Sequence, residues 1–283
     1  MENFIAALFN PSVPLVCYAV LAGLVSSIAF GMIGTYVVVK RTTYIAGAIS
    51  HAALAGIGAA LFLKEVFAVM WITPLMGGMA SSVIAALVIS GITIKANERS
   101  DTAIGIIWAA GMAIGLLLIF KIPGYGDPMS YLFGNILLIS KNDLYLIIVL
   151  DIVVAAVVIL FYRQFLAICF DEEFSRVRGL NTVLYEIILN VLIAVTVVLM
   201  VSIVGIVMVI AFLTIPPAAS GLFLKKLWKI MALSVVICAG ITFFGLAASF
   251  ALDMPSGPIT IICATVLYIV FLVCKKVVKL MKQ

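Results

Sequence analysis

The sequence predicts an all-α integral membrane protein, a polytopic bundle of eight or nine transmembrane helices, and three observations carry that expectation. Of its 283 residues 66 % are hydrophobic and 10 % charged, and the mean hydropathy is +1.35. Soluble domains run nearer half apolar and a quarter charged. Apolar runs of about 20 residues, enough to cross about 30 Å of hydrocarbon, recur along the whole chain. Between them lie short segments that hold most of the Lys and Arg.

Reading for apolar runs and their breakers places helices at about 14–39, 43–63, 68–94, 101–120, 143–162, 183–201, 204–224, 230–252 and 257–274. Each must be helical, because no water in the bilayer core satisfies a bare backbone. The first run is too long for a signal peptide and is preceded by Glu2 and no Lys or Arg, so it reads as a retained helix. Under this count 14 of the 17 Lys and Arg fall on one side, Lys40, Arg41, Arg176, Arg178, Lys225 and Lys226 among them, against Lys64, Lys121 and Lys141 on the other. Basic residues resist export, which puts the first side in the cytoplasm and the N-terminus outside. Pro216 and Pro217 lack backbone donors and are expected to break or kink the 204–224 helix; a re-entrant hairpin there would leave eight spans. The whole chain, 1–283, then forms a single transmembrane domain with no soluble part.

Cysteine usage points to no metal knuckle or disulfide framework. The five are odd in number, scattered and mostly inside apolar runs. The net charge of +5 follows from the cytoplasmic loops, and nucleic acid is not an expected partner. With no GxxxxGK[ST] phosphate loop the chain has no ATPase of its own, so energy from nucleotide would have to come from a partner chain. No bound cofactor is expected.

Small residues crowd the second helix from Ala46 to Ala60, which suits close backbone approach or the lining of a pathway. It carries His51, the single histidine, near the bilayer midplane. An ionisable group at that depth is either a metal ligand or a hydrogen-bonding partner for a neighbouring helix. Asp151, at similar depth in its own helix, is either on an ion path or a neutral acid bonded across a helix pair. The segment 170–180 runs acidic through Asp171, Glu172 and Glu173, then basic at Arg176, and closes on Gly179, with Phe170, Phe174, Val177 and Leu180 at helical spacing. That pattern favours a short amphipathic cytoplasmic helix docked to a partner over a solvated connector. The stretch 123–137, from Pro123 through Tyr131 to Asn135, combines turn signals with an apolar run too brief to span, and reads as re-entrant, as an outer docking surface or as a packed loop.

Several segments in order resemble one family. They are Gly34-Thr35-Tyr36 with Ser50-His51-Ala52, Ser100-Asp101-Thr102-Ala103, Tyr131-Leu132-Phe133-Gly134-Asn135, Asp171-Glu172-Glu173 with Arg178-Gly179-Leu180, and Val204-Gly205-Ile206 before Thr214-Ile215-Pro216-Pro217. The chain resembles the membrane permease subunit of ABC importers for zinc, manganese or iron, the ABC-3 metal permease family. The resemblance implies a homodimeric channel subunit in a bacterial inner membrane, driven by cytoplasmic ATPase subunits and supplied by an extracytoplasmic metal-binding protein. It implies that Asp171, Glu172, Glu173, Arg176 and Gly179 form the coupling helix for the ATPase, and that the cargo is a divalent transition metal ion. In the family an Asp and a His four apart on one helix are linked to metal passage; the His matches His51 and the Asp position is Gly47. Gly47→Asp is therefore expected to restore a family-like pair. The metal residues expected in this chain are His51 and Asp151.

Two other transport classes use the same residues. A proton-coupled secondary carrier would employ His51 and Asp151 as a relay, and a permease for a metal chelate would share the energy source. A membrane-embedded enzyme is disfavoured, since one His, no HExxH and no nucleophile elbow leave little catalytic apparatus.

Overall fold

The computed structural model describes residues 14–95, 100–122 and 141–280. Among them are eleven helices and no strand: α1 Pro14–Val39, α2 Thr43–Phe67, α3 Pro74–Lys95, α4 Ser100–Phe120, α5 Lys141–Leu160, α6 Tyr162–Phe170, α7 Glu172–Val177, α8 Thr182–Val204, α9 Ile206–Gly221, α10 Leu227–Leu252 and α11 Ser256–Leu280. Six of them, α1 to α4, α10 and α11, are long and apolar enough to cross a membrane. The pair α5–α6 passes the same test jointly but bends by 68° at its break, and α8 and α9 add shorter apolar stretches. The expected stretch 123–137 lies outside the described residues.

Helix ends follow local chemistry. α2 runs on to Phe67 because Ala68 takes a left-handed conformation and its N–H closes on the Leu63 carbonyl, and α3 waits for Pro74, whose missing donor suits a first turn. The expected break at the two prolines does not occur. Regular structure is interrupted at Gly205, whose φ of 86° favours glycine, and α9 is continuous through Pro216 and Pro217. A proline inside a helix orphans the carbonyl four residues back, here those of Phe212 and Leu213. The first is met from a neighbouring helix, the Cys238 thiol of α10 donating to the Phe212 oxygen at 4.0 Å; the Leu213 oxygen packs against Gly34 of α1. Neighbours that meet freed backbone groups are what allow proline inside a membrane helix.

Packing divides the helices into two sets. In one, α2 is clasped by α3 and α4, with α8 behind α3; in the other, α1 packs on α5, α9 and α10, and α11 covers α9 and α10. α2 is the enclosed member, with 78 % of its apolar stretch buried inside the bundle against 22 % for α4 and 17 % for α11. Its small residues have the expected use. A Cβ on Gly58 would stand 2.6 Å from the Gly115 carbonyl oxygen of α4, so the two backbones touch. Many hydroxyls inside the bundle return to their own helices, as Ser50 to the Ala46 carbonyl at 2.7 Å and Thr242 to the Cys238 carbonyl at 2.9 Å, while Ser82 of α3 donates across to the Ile49 carbonyl of α2 at 3.3 Å.

Candidate functional site

His51 is the ninth residue of α2, about 12 Å along the axis at 1.5 Å per residue. Trp108 is the ninth residue of α4. The two helices run parallel in matched register, because Ala52 meets Gly111 and Leu54 meets Gly115 further along the same seam. The register lays the Trp108 indole on the imidazole, with ring centroids 4.8 Å apart and planes at 24°. Such a stack is worth about 0.5–1.5 kcal/mol beyond the area it buries. The imidazole is 9 % exposed, and its Nδ1 is buried without a hydrogen-bond partner. A neutral imidazole with an unengaged nitrogen can accept a proton or ligate a transition metal.

Gly47 lies one turn before His51 on the same face of α2. A Cβ there would stand 2.5 Å from Cζ3 and 2.6 Å from Cη2 of Trp108. The space for a side chain at this position is thus taken by the indole, and Gly47→Asp cannot simply add a carboxylate beside His51; the ring has to leave first.

Asp151 is 5 % exposed, and its Oδ2 lacks a hydrogen-bond partner. It faces the other helix set, with its carboxyl against the backbone of α1 at Ala29. α5 packs along α1 and not along α2, so the two residues expected to hold metal are not brought together. Among the described residues no group of three His, Cys, Asp or Glu is positioned to hold a metal ion. From one chain, His51 offers one nitrogen.

The expected short helix is α7. Asp171 caps it, its side chain accepting from the Phe174 N–H at 2.8 Å, and Glu172 pairs with Arg176 at 3.3 Å one turn on. Gly179, with φ 84°, ends the turn, and the Leu180 N–H closes on the Ser175 carbonyl at 3.0 Å. Phe170, Phe174 and Val177 are left exposed, Val177 by 86 %, while Leu180 packs back on the core. Arg178 lies over the Phe174 ring, 5.0 Å from its centroid. The result is a knob with apolar and charged groups presented together.

Sequence reasoning passed over three polar or aromatic contacts. Trp108 could have been found from its depth, equal to that of His51 in a helix entering from the same side. Lys40 at the end of α1 pairs with Glu186 in the first turns of α8 at 2.9 Å; two opposite charges at span ends on one face were the available signal. Asn190 donates to Ser90 across α8 and α3 at 2.8 Å, for which a lone amide in an apolar run was the hint.

Residues 12–275 match the ABC 3 transport family. A protein of Chlamydia muridarum named "Probable metal transport system membrane protein" is 34 % identical over 273 residues, covering 96 % of this chain and 93 % of that one. The manganese transport system membrane protein MntC of Listeria monocytogenes is 30 % identical over 252 residues, 89 % of this chain and 88 % of that one. In three dimensions the chain superposes on a chain of the solved PsaBC of Streptococcus pneumoniae, in complex with Fab, with a TM-score of 0.83 at 25 % identity, covering 95 % of this chain and 94 % of that one.

Proposed function

The chain belongs to the ABC 3 transport family, and on that premise we propose that it is the membrane channel subunit of an ATP-driven importer for a divalent transition metal ion, manganese or zinc. The observation that carries this reading is His51: a sole histidine, buried on the most enclosed helix, with an unengaged ring nitrogen. A metal ion crossing a bilayer sheds water only where ligands replace it, and a buried imidazole with an unengaged nitrogen is one such ligand. The manganese named for the Listeria relative supports this class of cargo.

In this reading the six long helices, the bent pair and the two shorter ones make nine crossings, with the N-terminus outside and the basic loops in the cytoplasmic face of a bacterial inner membrane. A second copy of the chain completes the channel, and an extracytoplasmic binding protein delivers the ion. The α7 knob is the coupling element on which a cytoplasmic ATPase seats; its exposed Phe174 and Val177 fill a pocket there and its charges set register. Asp151 serves the α1–α5 contact away from the station.

Radiolabelled manganese and zinc uptake into cells at matched expression tests the proposal. His51→Ala is expected to abolish uptake while the chain still inserts and co-purifies with the ATPase, since it removes a ligand and one ring stack worth only about 0.5–1.5 kcal/mol. Reversing charge at Glu172 and Glu173 is expected to do the opposite, releasing the ATPase from a folded permease. Wild-type uptake by His51→Ala would remove the histidine from the path.

A further inference from the structure

Helices α5 and α10 both pack along α1 but make no close seam with each other. A groove of about 500 Å³ is left between them, lined by Met32 of α1, by Val158 and Tyr162 at the α5–α6 bend, and by Trp228, Met231 and Val235 of α10. That volume falls among small-ligand sites, about 300–1,000 Å³. The three α10 residues recur at helical spacing and so form one face. At Val235 the groove is closed, because a Cβ on Gly31 of α1 would stand 2.6 Å from the Val235 nitrogen and the two backbones touch. Its other end lies where α5 stops at Leu160 and α6 leaves at 68°.

The lining is apolar and aromatic, yet the mouth is basic. Lys225 and Lys226 lead into α10, both exposed. Lys229 holds its ammonium 5.4 Å from the centroid of the Trp228 ring, and exposed Arg163 follows Tyr162. No acidic side chain stands in the first turn of α6 or of α10. An exposed indole beside basic residues at the end of a span marks the head-group level, here on the cytoplasmic side. A groove of hydrocarbon alone gains nothing over bulk lipid, since lipid tails are as apolar as its walls. Preference has to come from the mouth, and basic pockets between helices on this side of a membrane take anionic head groups. A second copy of the chain does not suit it. In a two-fold interface a patch meets itself, and an all-basic rim would meet its own charge.

We propose that the groove between α1, α5 and α10 binds an anionic phospholipid of the cytoplasmic leaflet, one acyl chain lying between Met32 and Met231 and the phosphate met by Lys225, Lys226 and Lys229 beside Trp228. Seated there, the lipid fills the gap beside the bend from which the α7 knob follows. The inference rests on the chain's place in a bilayer with its basic loops in the cytoplasm, and not on its cargo.

The chain has three tryptophans, so Trp71→Phe with Trp108→Phe leaves Trp228 as the reporter of its own groove. The full chain carrying these two changes is placed in phosphatidylcholine vesicles. Phosphatidylglycerol or phosphatidylcholine with chains brominated near the glycerol is then titrated in as a fluorescence quencher. The brominated phosphatidylglycerol is expected to quench as if bound at least about fivefold more tightly, the gain that one lysine near an anionic surface brings. Changing Lys225, Lys226 and Lys229 together to Gln removes the preference. So does Ala232→Phe, which fills the groove and leaves the charges in place. Lys275→Gln with Lys276→Gln, a basic pair on α11 away from the groove, leaves it unchanged. Should the triple variant fail to fold, Lys229→Gln alone still lowers the preference. Equal quenching by the two lipids in the starting chain would overturn the site, as would a preference untouched by the α10 lysines or by Ala232→Phe. An equal loss from the α11 pair would reduce it to diffuse attraction, and no quenching by either lipid would give the groove to a second copy. None of these readouts involves metal uptake, so failure of the transport reading leaves the lipid site standing, and the reverse holds too.

Discussion

His51 and Asp151 are both buried, both ionisable and both carry an atom without a hydrogen-bond partner, yet their settings are opposite. His51 sits in a seam of small residues, between two helices whose backbones touch, under an aromatic ring. Asp151 sits between α5 and α1, against the backbone at Ala29. One imidazole face is stacked by an indole in a seam of touching backbones; the other group meets the backbone of one neighbouring helix. Depth in the membrane, which is similar for both by sequence, therefore does not separate the two readings open for each residue. What separates them is what each packs against: an aromatic ring for His51, the α1 backbone for Asp151.

The largest expected contrast is in transport. His51→Ala lowers radiolabelled manganese uptake by at least about 100-fold, the scale on which even supporting residues of a metal site act, whereas Asp151→Asn, which keeps the shape and a hydrogen-bonding oxygen, stays near wild type. Equal losses in the two variants would erase the distinction and put both residues on the path.

The next contrast sets an orphan charge beside a paired one on the α1 side. Lys40 and Glu186 are 13 % and 6 % exposed and 2.9 Å apart. Lys40→Met leaves the carboxylate buried without its partner, and removing one member of a buried pair costs about 3 kcal/mol. Thermal unfolding of the detergent-solubilised chain reads this as a lowered midpoint, and Lys40→Met with Glu186→Leu recovers most of it. No recovery would mean that the two side chains act separately.

Two glycines of α4 test how tight the His51 seam is. Gly115→Leu drives a side chain into the Leu54 backbone, with a Cβ at 2.6 Å, and overpacking of that kind costs about 1–3 kcal/mol. Gly105→Ala meets open space and gains up to about 1 kcal/mol from helix propensity. The same melting assay distinguishes them, and a tolerated Gly115→Leu would show that α2 and α4 separate easily. The smallest effect belongs to Asp151→Leu. Replacing an incompletely paired buried acid by an apolar side chain of similar volume is neutral or stabilising by about 1 kcal/mol, so a large destabilisation would reveal a partner for the carboxyl.

Most helix positions were legible in the sequence to within about six residues, including the crowded α2 and the capped turn at Asp171, because both rest on local rules: apolar run length, and a cap that binds its own first turn; α6, Tyr162–Phe170, was not expected. Of the expected break or kink at the prolines, the break does not occur; its cost was judged within one helix, whereas the freed carbonyl of Phe212 is met by Cys238 from another. At the candidate site, His51 stood out as the sole histidine, but the indole above it and the reason Gly47 is small did not.

What the sequence by itself determined is the all-helical membrane class, most of the long apolar helices and the ordered segments shared with a family, since a bilayer obliges each crossing to satisfy its own backbone and hold its own apolar length. Tertiary structure alone decided which residue faces which. The register that lays Trp108 on His51, the rotation that turns Asp151 to α1 and the closure of Lys40 on Glu186 all depend on pairs far apart in the chain. Helix rotation is chosen by the fit of the whole seam, glycine against backbone along several turns, and no single run of residues contains that information.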